Sequence, residues 1–137
     1  MRIQGKFDEA IEALSKATEI DPGKSNLENN LGVALMQSGK SDASEKRLLT
    51  AIELDPFDPN PHNNLGVVLQ KQGRLEEAMI QFEIAVRLRP DFFDALANYS
   101  DLIKARPELL SASLGRMSQF LASIKTKDPQ NTLVEPP

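Results

Sequence analysis

Three asparagines at one spacing are the residues best suited to chemistry in this chain: Asn30, Asn64 and Asn98, each 34 positions from the next. An Asn side chain carries a carbonyl acceptor beside an amide donor, the same pair that a peptide group presents. At a helical step of about 100° per residue, Asn26, Asn30, Val33 and Gln37 fall in one narrow stripe, apart from the apolar stripe Leu27, Leu31, Leu35. Asn60, Asn64, Val67 and Lys71 repeat that stripe, and Asp94, Asn98, Asp101 and Ala105 repeat it again. Asn is a mediocre helix former that competes for backbone hydrogen bonds, so a column of it at mid-helix is not there for helicity. Spaced once per unit, Asn30, Asn64 and Asn98 can hold an extended peptide by its backbone, while neighbours such as Val33, Val67, Met36 and Gln70 set side-chain preference. The same column can instead wet an exposed face or bond neighbouring helices together.

Other motifs with catalytic or ligating character do not assemble. Gly23-Lys24-Ser25 and Gly39-Lys40-Ser41 end like a phosphate-binding loop, but that loop needs a further Gly where Thr18 and Ala34 stand, and no strand precedes either. His62, the one histidine, has neither Cys nor a carboxylate cluster for company and reads as a partly exposed packing residue. Asn98-Tyr99-Ser100 matches a glycosylation sequon but falls mid-helix. No nucleophile, base and orienting group share one face, so no enzymatic activity, metal or cofactor is expected. The net charge of −4 leaves no electrostatic footprint for nucleic acid. The absence of Cys argues against a disulfide scaffold and thiolate metal sites. No apolar run is long enough for membrane insertion and the first residues hold no signal-peptide core, so a cytoplasmic protein is expected.

The elements that must position the Asn column follow from the same period. Gly5, Gly39 and Gly73 are spaced by 34 residues, as are Pro22, Pro56 and Pro90, and Ala17, Ala51 and Ala85. Such a period marks a helical hairpin repeated in tandem, each unit burying its apolar face by stacking on the next. Helices are predicted from about Phe7 to Ile20, Ser25 to Gln37, Ser41 to Leu54, Pro61 to Gln72 and Leu75 to Leu88. Glu28 follows Ser25 as in a capping box. Gly39 and Gly73 stop the first helix of a unit by tolerating positive φ, and Asp21-Pro22 and Asp55-Pro56 stop the second. Gly32 and Gly66, each inside a helix, need a packing reason, which a small facing residue, Ala78 for Gly66, would supply. Glu12–Lys16 and Glu83–Arg87 read as i,i+4 pairs on the outside. Asp91 caps a further helix. Beyond it, Glu108 to Lys125 reads as a capping helix with Leu110, Leu114, Met117, Leu121 and Ile124 inward and Ser111, Ser113, Gln119 and Lys125 outward.

The unit resembles the tetratricopeptide repeat. The slots that carry the resemblance are Leu65-Gly66, Leu69, Ala78, Phe82, Ala85 and Pro90, preceded by Leu31-Gly32, Leu35, Ser44, Leu48, Ala51 and Pro56, with Ser44 where the family has Ala. Ala10, Leu14, Ala17 and Pro22 form a half unit. The resemblance implies an all-α, right-handed α-solenoid of antiparallel helix hairpins with about seven helices. One solenoid over 1–126 is expected, with a half repeat at 5–22, repeats at 25–58 and 59–92, a degenerate repeat with its capping helix at 93–126, and a disordered tail at 127–137.

First helices of such hairpins line the inner surface of the superhelix, so the resemblance turns the Asn column towards a groove. There it is similar to the Asn ladder of the O-linked N-acetylglucosamine transferase superhelix. The implied function is a protein-interaction module, an adaptor or assembly scaffold that takes extended peptide segments. The implied peptide-binding residues are Asn26, Asn30, Val33, Met36, Gln37, Asn60, Asn64, Val67, Gln70, Lys71, Asn98 and Asp101. Two alternatives stand beside it: the substrate-recruiting arm of a larger enzyme such as a glycosyltransferase, and a self-assembling scaffold. The family's clamp for a C-terminal carboxylate would need Lys and Arg near Asn26, Asn60 and Asp94, whereas Lys71 and Lys104 lie further along their helices. A homodimer is expected through Phe7, Ala10 and Leu14 of an N-terminal helix that has no first-helix partner, or by stacking on Leu114 and Met117.

Overall fold

The computed structural model describes residues 3–127, and these form seven helices and no strand. In chain order they are α1 (Ile3–Ile20), α2 (Ser25–Gln37), α3 (Ser41–Leu54), α4 (Pro59–Lys71), α5 (Leu75–Leu88), α6 (Phe93–Ala105) and α7 (Leu109–Lys127). The tail expected beyond residue 127 lies outside the described residues, as does the side chain of Lys125. The chain divides into two compact units, Met1–Asp101 and Leu102–Pro137, so the boundary falls inside α6.

In the first unit each helix packs on its sequence neighbour, α1 on α2 through to α4 on α5, and α2 also touches α4. The core repeats with the sequence: Leu31, Leu35, Leu48 and Ala51 are buried in one hairpin, and Leu65, Leu69, Phe82 and Ala85 in the next. α2 and α4 both end in a residue with positive φ, Gly39 at 83° and Gly73 at 79°. Lys40 N–H donates to Leu35 O at 2.8 Å and Gly39 N–H to Met36 O at 3.0 Å; Arg74 to Leu69 and Gly73 to Gln70 repeat the pair at 2.9 and 3.0 Å. This double bond closes the last helical turn, and it requires the left-handed backbone that glycine adopts without strain. α3 and α5 end otherwise. Asp55 and Arg89 leave the helix at φ −146° and −145° because a proline follows each.

Several local expectations need correction. The atoms nearest a Cβ on Gly66 belong not to Ala78 but to the ring of Phe82, whose Cε1 would lie 2.4 Å from it. Gly32 likewise faces Leu48, with Cγ at 2.7 Å from such a Cβ. The glycine therefore makes room for a large side chain; Ala78 and Phe82 lie one turn apart on a single face of α5 and both are buried, and the sequence alone does not say which comes nearer the glycine. Ser44, in the Ala slot, is fully buried and donates its Oγ–H to the Gly32 carbonyl at 2.6 Å, which removes the cost of burying a hydroxyl. Ser25 is the first residue of α2 rather than its cap, and Glu28 forms no capping box. The Glu28 carboxylate is buried and meets Arg47 at 3.4 Å. Glu83 is buried at 4 % exposure, not solvated, whereas Lys16 and Glu12 do pair on the surface at 3.2 Å.

α4 starts two residues earlier than expected, with Pro59 in its first turn and Asp58 as cap. Asp58 Oδ1 accepts from the Asn60 backbone N–H at 3.0 Å, and Pro59 and Pro61 occupy positions where no donor is required. Asp91 does not cap α6, which begins at Phe93; its carboxylate pairs with Arg89 instead. His62 is buried at 6 % exposure rather than partly exposed. Its Nε2 lies 3.1 Å from the Pro56 carbonyl and its Nδ1 2.9 Å from Gln81 Oε1, so both ring nitrogens are engaged in packing α4 to its neighbours.

In the second unit the chain turns through Pro107, with Leu109 N–H bonded to Arg106 O and an Arg106–Glu108 ion pair across the turn. Leu109 and Ser113 are buried, the latter contrary to its expected outward position. Leu110, Leu114, Met117, Leu121 and Ile124, expected inward, are between 38 % and 60 % exposed. The buried stripe of α7 is thus displaced by one residue from the expected one.

Candidate functional site

The Asn column occupies the face formed by α2, α4 and the first-unit part of α6. Asn26, Asn30, Gln37, Asn60, Gln70, Lys71 and Asp101 are exposed; Val33, Met36, Asn64, Val67 and Asn98 are half-buried. The stripe geometry read from helical spacing thus places accessible side chains, while Leu31, Leu35, Leu65 and Leu69 turn into the core.

Two hydrogen bonds organise the column, and they involve residues the sequence reading missed. Asn64 Nδ2 donates to Asn29 Oδ1 at 2.9 Å, and Asn98 Nδ2 donates to Asn63 Oδ1 at 3.0 Å. Each bond runs from one unit to the unit before it, over the same interval of 35 residues. An amide nitrogen carries two N–H groups and a carbonyl oxygen two acceptor sites. Once bonded, Asn64 and Asn98 therefore each retain one N–H and the whole of Oδ1. The doubled Asn29-Asn30 and Asn63-Asn64 was the available signal for these partners.

At the N-terminal ends of α4 and α6, one turn from Asn64 and Asn98, lies a cavity of about 370 Å³ lined by Asn60, Arg89, Asp91, Phe92, Phe93 and Asp94. Arg89 stacks over the Phe92 ring at 5.5 Å from its centroid and pairs with Asp91 Oδ1 at 3.4 Å. Asn60 Nδ2 is held by Asp58 Oδ1 at 3.1 Å. Sequence periodicity could not have brought Arg89 here, because it stands on a loop where no helical face exists to be read.

A second cavity, about 270 Å³, is lined by residues of α3, α4 and α5 together with Arg74, and among them are Glu45, Leu49, Leu65 and Ile80. Its one cation is committed. Arg74 Nη1 donates to both Glu45 oxygens at 2.9 and 3.0 Å, and Nε and Nη2 donate to Glu77 at 3.1 and 2.6 Å. The Arg74 hydrogen bond holds the Glu77 carboxyl below the usual carboxylate range. Such an arrangement ties the start of α5 to α3.

Among the described residues no group of three or more His, Cys, Asp or Glu side chains is placed to hold a metal ion. Nor is any described helix long and apolar enough to cross a membrane. Phe7, Ala10 and Leu14 are half-buried on α1, which packs on α2.

Family models described as tetratricopeptide repeat match residues 1–65 and 59–92. The chain is a tetratricopeptide repeat protein. Comparison with curated protein sequences gives no match. Among solved structures, the first tetratricopeptide domain of Spaghetti (RPAP3) bound to the HSP90 peptide SRMEEVD is 27% identical, with a TM-score of 0.70 over 74% of this chain and 81% of that one. The second such domain of human RPAP3, in complex with the HSP70 peptide SGPTIEEVD, is 28% identical with a TM-score of 0.67, over 72% of this chain and 82% of that one. An O-GlcNAc transferase mutant from Thermobaculum terrenum is 27% identical with a TM-score of 0.69; 73% of this chain aligns with only 19% of that one. The repeat protein thus has an all-α tetratricopeptide fold whose slots at Gly32, Ser44, Gly66 and Phe82 are filled as described above.

Proposed function

We propose that this repeat protein binds extended peptide segments along the face of α2, α4 and α6, with the Asn column contacting the peptide backbone. The observation that carries the reading is the pair of inter-unit bonds that leaves Asn64 and Asn98 each with an acceptor and one donor beside it. That set matches the N–H and C=O of a single residue in an extended chain. Neighbouring helices pack at about 8–10 Å, and an extended chain advances about 3.3 Å per residue, so successive rungs would meet every third peptide residue. Repeat domains of similar structure are bound to peptides of HSP90 and HSP70, which supports a peptide as the partner.

Those peptides end in acidic residues, and a different chemistry is expected here. The stripe Asn26, Asn60, Asp94 carries no cation, and Arg89, which lines the cavity with Asn60 and Asp94, is paired with Asp91. An acidic C-terminal segment would meet Asp94 and Asp91 rather than a basic clamp. The preferred ligand is an internal extended segment read by its backbone, with Val33 and Val67 offering small apolar contacts. A role as adaptor or scaffold follows from such backbone reading.

The test is replacement of the column. Asn64→Ala removes the hydrogen bonds of one rung and should weaken a bound peptide by about 1–2 kcal/mol. Thermal stability should change little, since the better helix former Ala offsets the lost bond to Asn29. Equal affinity for the parent and the Asn30, Asn64, Asn98 triple Ala variant would remove the column from the binding site.

A further inference from the structure

We propose that Asn29 and Asn63 are positioning residues of the peptide-binding face, fixing the side-chain amides of Asn64 and Asn98, and that Asn30 is not an equivalent rung. This rests on the peptide-binding reading above. The two bonds have the same donor, the same acceptor and the same interval, Asn64 Nδ2 to Asn29 Oδ1 at 2.9 Å and Asn98 Nδ2 to Asn63 Oδ1 at 3.0 Å. In each Asn-Asn pair the first residue accepts from the unit that follows. The second, in the case of Asn64, donates to the unit before.

The torsion that turns an Asn amide is broad and roughly two-fold, so an unheld side chain presents its oxygen or its nitrogen almost indifferently. A bond from Nδ2 to a neighbouring carbonyl removes that choice. It sends the nitrogen towards the preceding unit and leaves Oδ1 on the opposite side, in the same sense at both rungs. Holding a side chain in its bound orientation before the ligand arrives spares the binding step the ordering it would otherwise require. Asn63 is 7 % exposed and Asn29 half-buried, so each acceptor is itself held within packing.

Asn30 differs from the other two. Its side chain is exposed, whereas those of Asn64 and Asn98 are half-buried. Among the described residues no hydrogen bond joins it to α1, its neighbour on the preceding side. Beyond Asn98 the paired pattern lapses, since Ala97 stands where Asn29 and Asn63 stand in their units. Two held rungs and one loose one are the result. The period of the sequence makes all three look alike, and the hydrogen bonds separate them.

The experiment uses the full chain and, as probe, a fluorescent dodecapeptide without charged side chains, selected on the wild-type protein from a random displayed library. Anisotropy titration gives Kd for Asn64→Ala, Asn29→Ala, Asn29→Asp and Asn30→Ala, with urea midpoints measured for each. Asn29→Ala should weaken binding roughly threefold to tenfold. Asn29→Asp should stay within about twofold of wild type, because its carboxylate accepts the same amide N–H. Asn30→Ala should weaken binding by less than Asn64→Ala does. Loss with Asn29→Asp as large as with Asn29→Ala overturns the positioning role, since the acceptor was retained; a loss with Asn30→Ala equal to that with Asn64→Ala overturns the distinction between rungs. Failure of the underlying reading looks different: no peptide is selected, or Asn64→Ala itself leaves Kd unchanged, and the proposal falls with it. A general structural role would instead lower the urea midpoint of Asn29→Ala and leave Kd unchanged.

Discussion

Gly66→Ala puts a methyl group where the Phe82 ring now lies, 2.4 Å from Cε1, 2.6 Å from Cδ1 and 2.9 Å from Cζ. Carbon atoms in contact sit about 3.5–4.0 Å apart, so the ring must retreat by roughly 1 Å. It has nowhere to go, being fully buried beside the likewise buried Leu65, Leu69, Ala78 and Ala85. Overpacking of this kind costs about 1–3 kcal/mol. Against it stands a gain of roughly 1 kcal/mol for replacing Gly by Ala inside a helix. The net loss is therefore modest, and a double-mutant cycle isolates the steric part. Phe82→Ala alone should cost about 3–5 kcal/mol. In its background the clash with the ring is gone, and Gly66→Ala should then stabilise by roughly 1 kcal/mol. Urea denaturation followed by far-ultraviolet circular dichroism gives the four stabilities; if Phe82→Ala does not fold, Phe82→Val takes its place. An effect of Gly66→Ala that is the same in both backgrounds would show that Phe82 is not what the glycine accommodates. Gly115→Ala is the control, since nothing lies within 4 Å of the added Cβ and the helix-former gain should appear alone.

The helix-ending glycines behave differently, because their constraint is backbone and not space. Gly73→Ala, at φ 79° with no atom within 4 Å of the new Cβ, should cost about 1–2 kcal/mol in urea denaturation, and Gly73→Asn less. The Arg74–Glu77 bond makes a pH-dependent contribution. Because it holds Glu77 below the usual carboxylate range, its stabilisation is present above that range and is lost as pH falls through the lowered value. Arg74→Met should move the Glu77 titration, followed by carboxylate NMR, back up towards the usual range, and an unmoved titration would exclude Arg74 as the cause.

Much of this architecture is legible from one interval. The 34-residue recurrence of Gly39 and Gly73 marks the turns, because only a residue at ease with positive φ closes the last helical turn there. Pro56 and Pro90 mark the other ends, since proline forces the preceding residue out of the helix. What the interval does not contain is rotation about single bonds. It places Ala78 and Phe82 on one face of α5 but does not say which meets Gly66, and it marks Glu28 as a capping partner when Arg47, nineteen positions on, holds the carboxylate. In α7, where the period has lapsed, the buried stripe is off by one residue, with Ser113 inside and Leu114 outside. For the candidate site, the stripe of Asn64 and Asn98 was legible, but Asn29 and Asn63 were not distinguished from ordinary polar positions. Their role depends on a contact between units, which no single helix displays. Arg89 was hidden for a related reason: it lines the cavity beside Asn60 and Asp94 from a loop.

The central claim is that the protein reads a peptide by its backbone, and a scan of N-methylated peptides tests it most directly. Each backbone N–H of the selected dodecapeptide is replaced in turn by N–CH3, and each side chain in turn by Ala, with Kd measured by anisotropy. Methylation should weaken binding about fivefold to tenfold at positions three residues apart, where Asn64 and Asn98 accept, and much less elsewhere. Most side-chain replacements should have little effect. Side-chain replacements that abolish binding, with methylation tolerated at every position, would contradict the account.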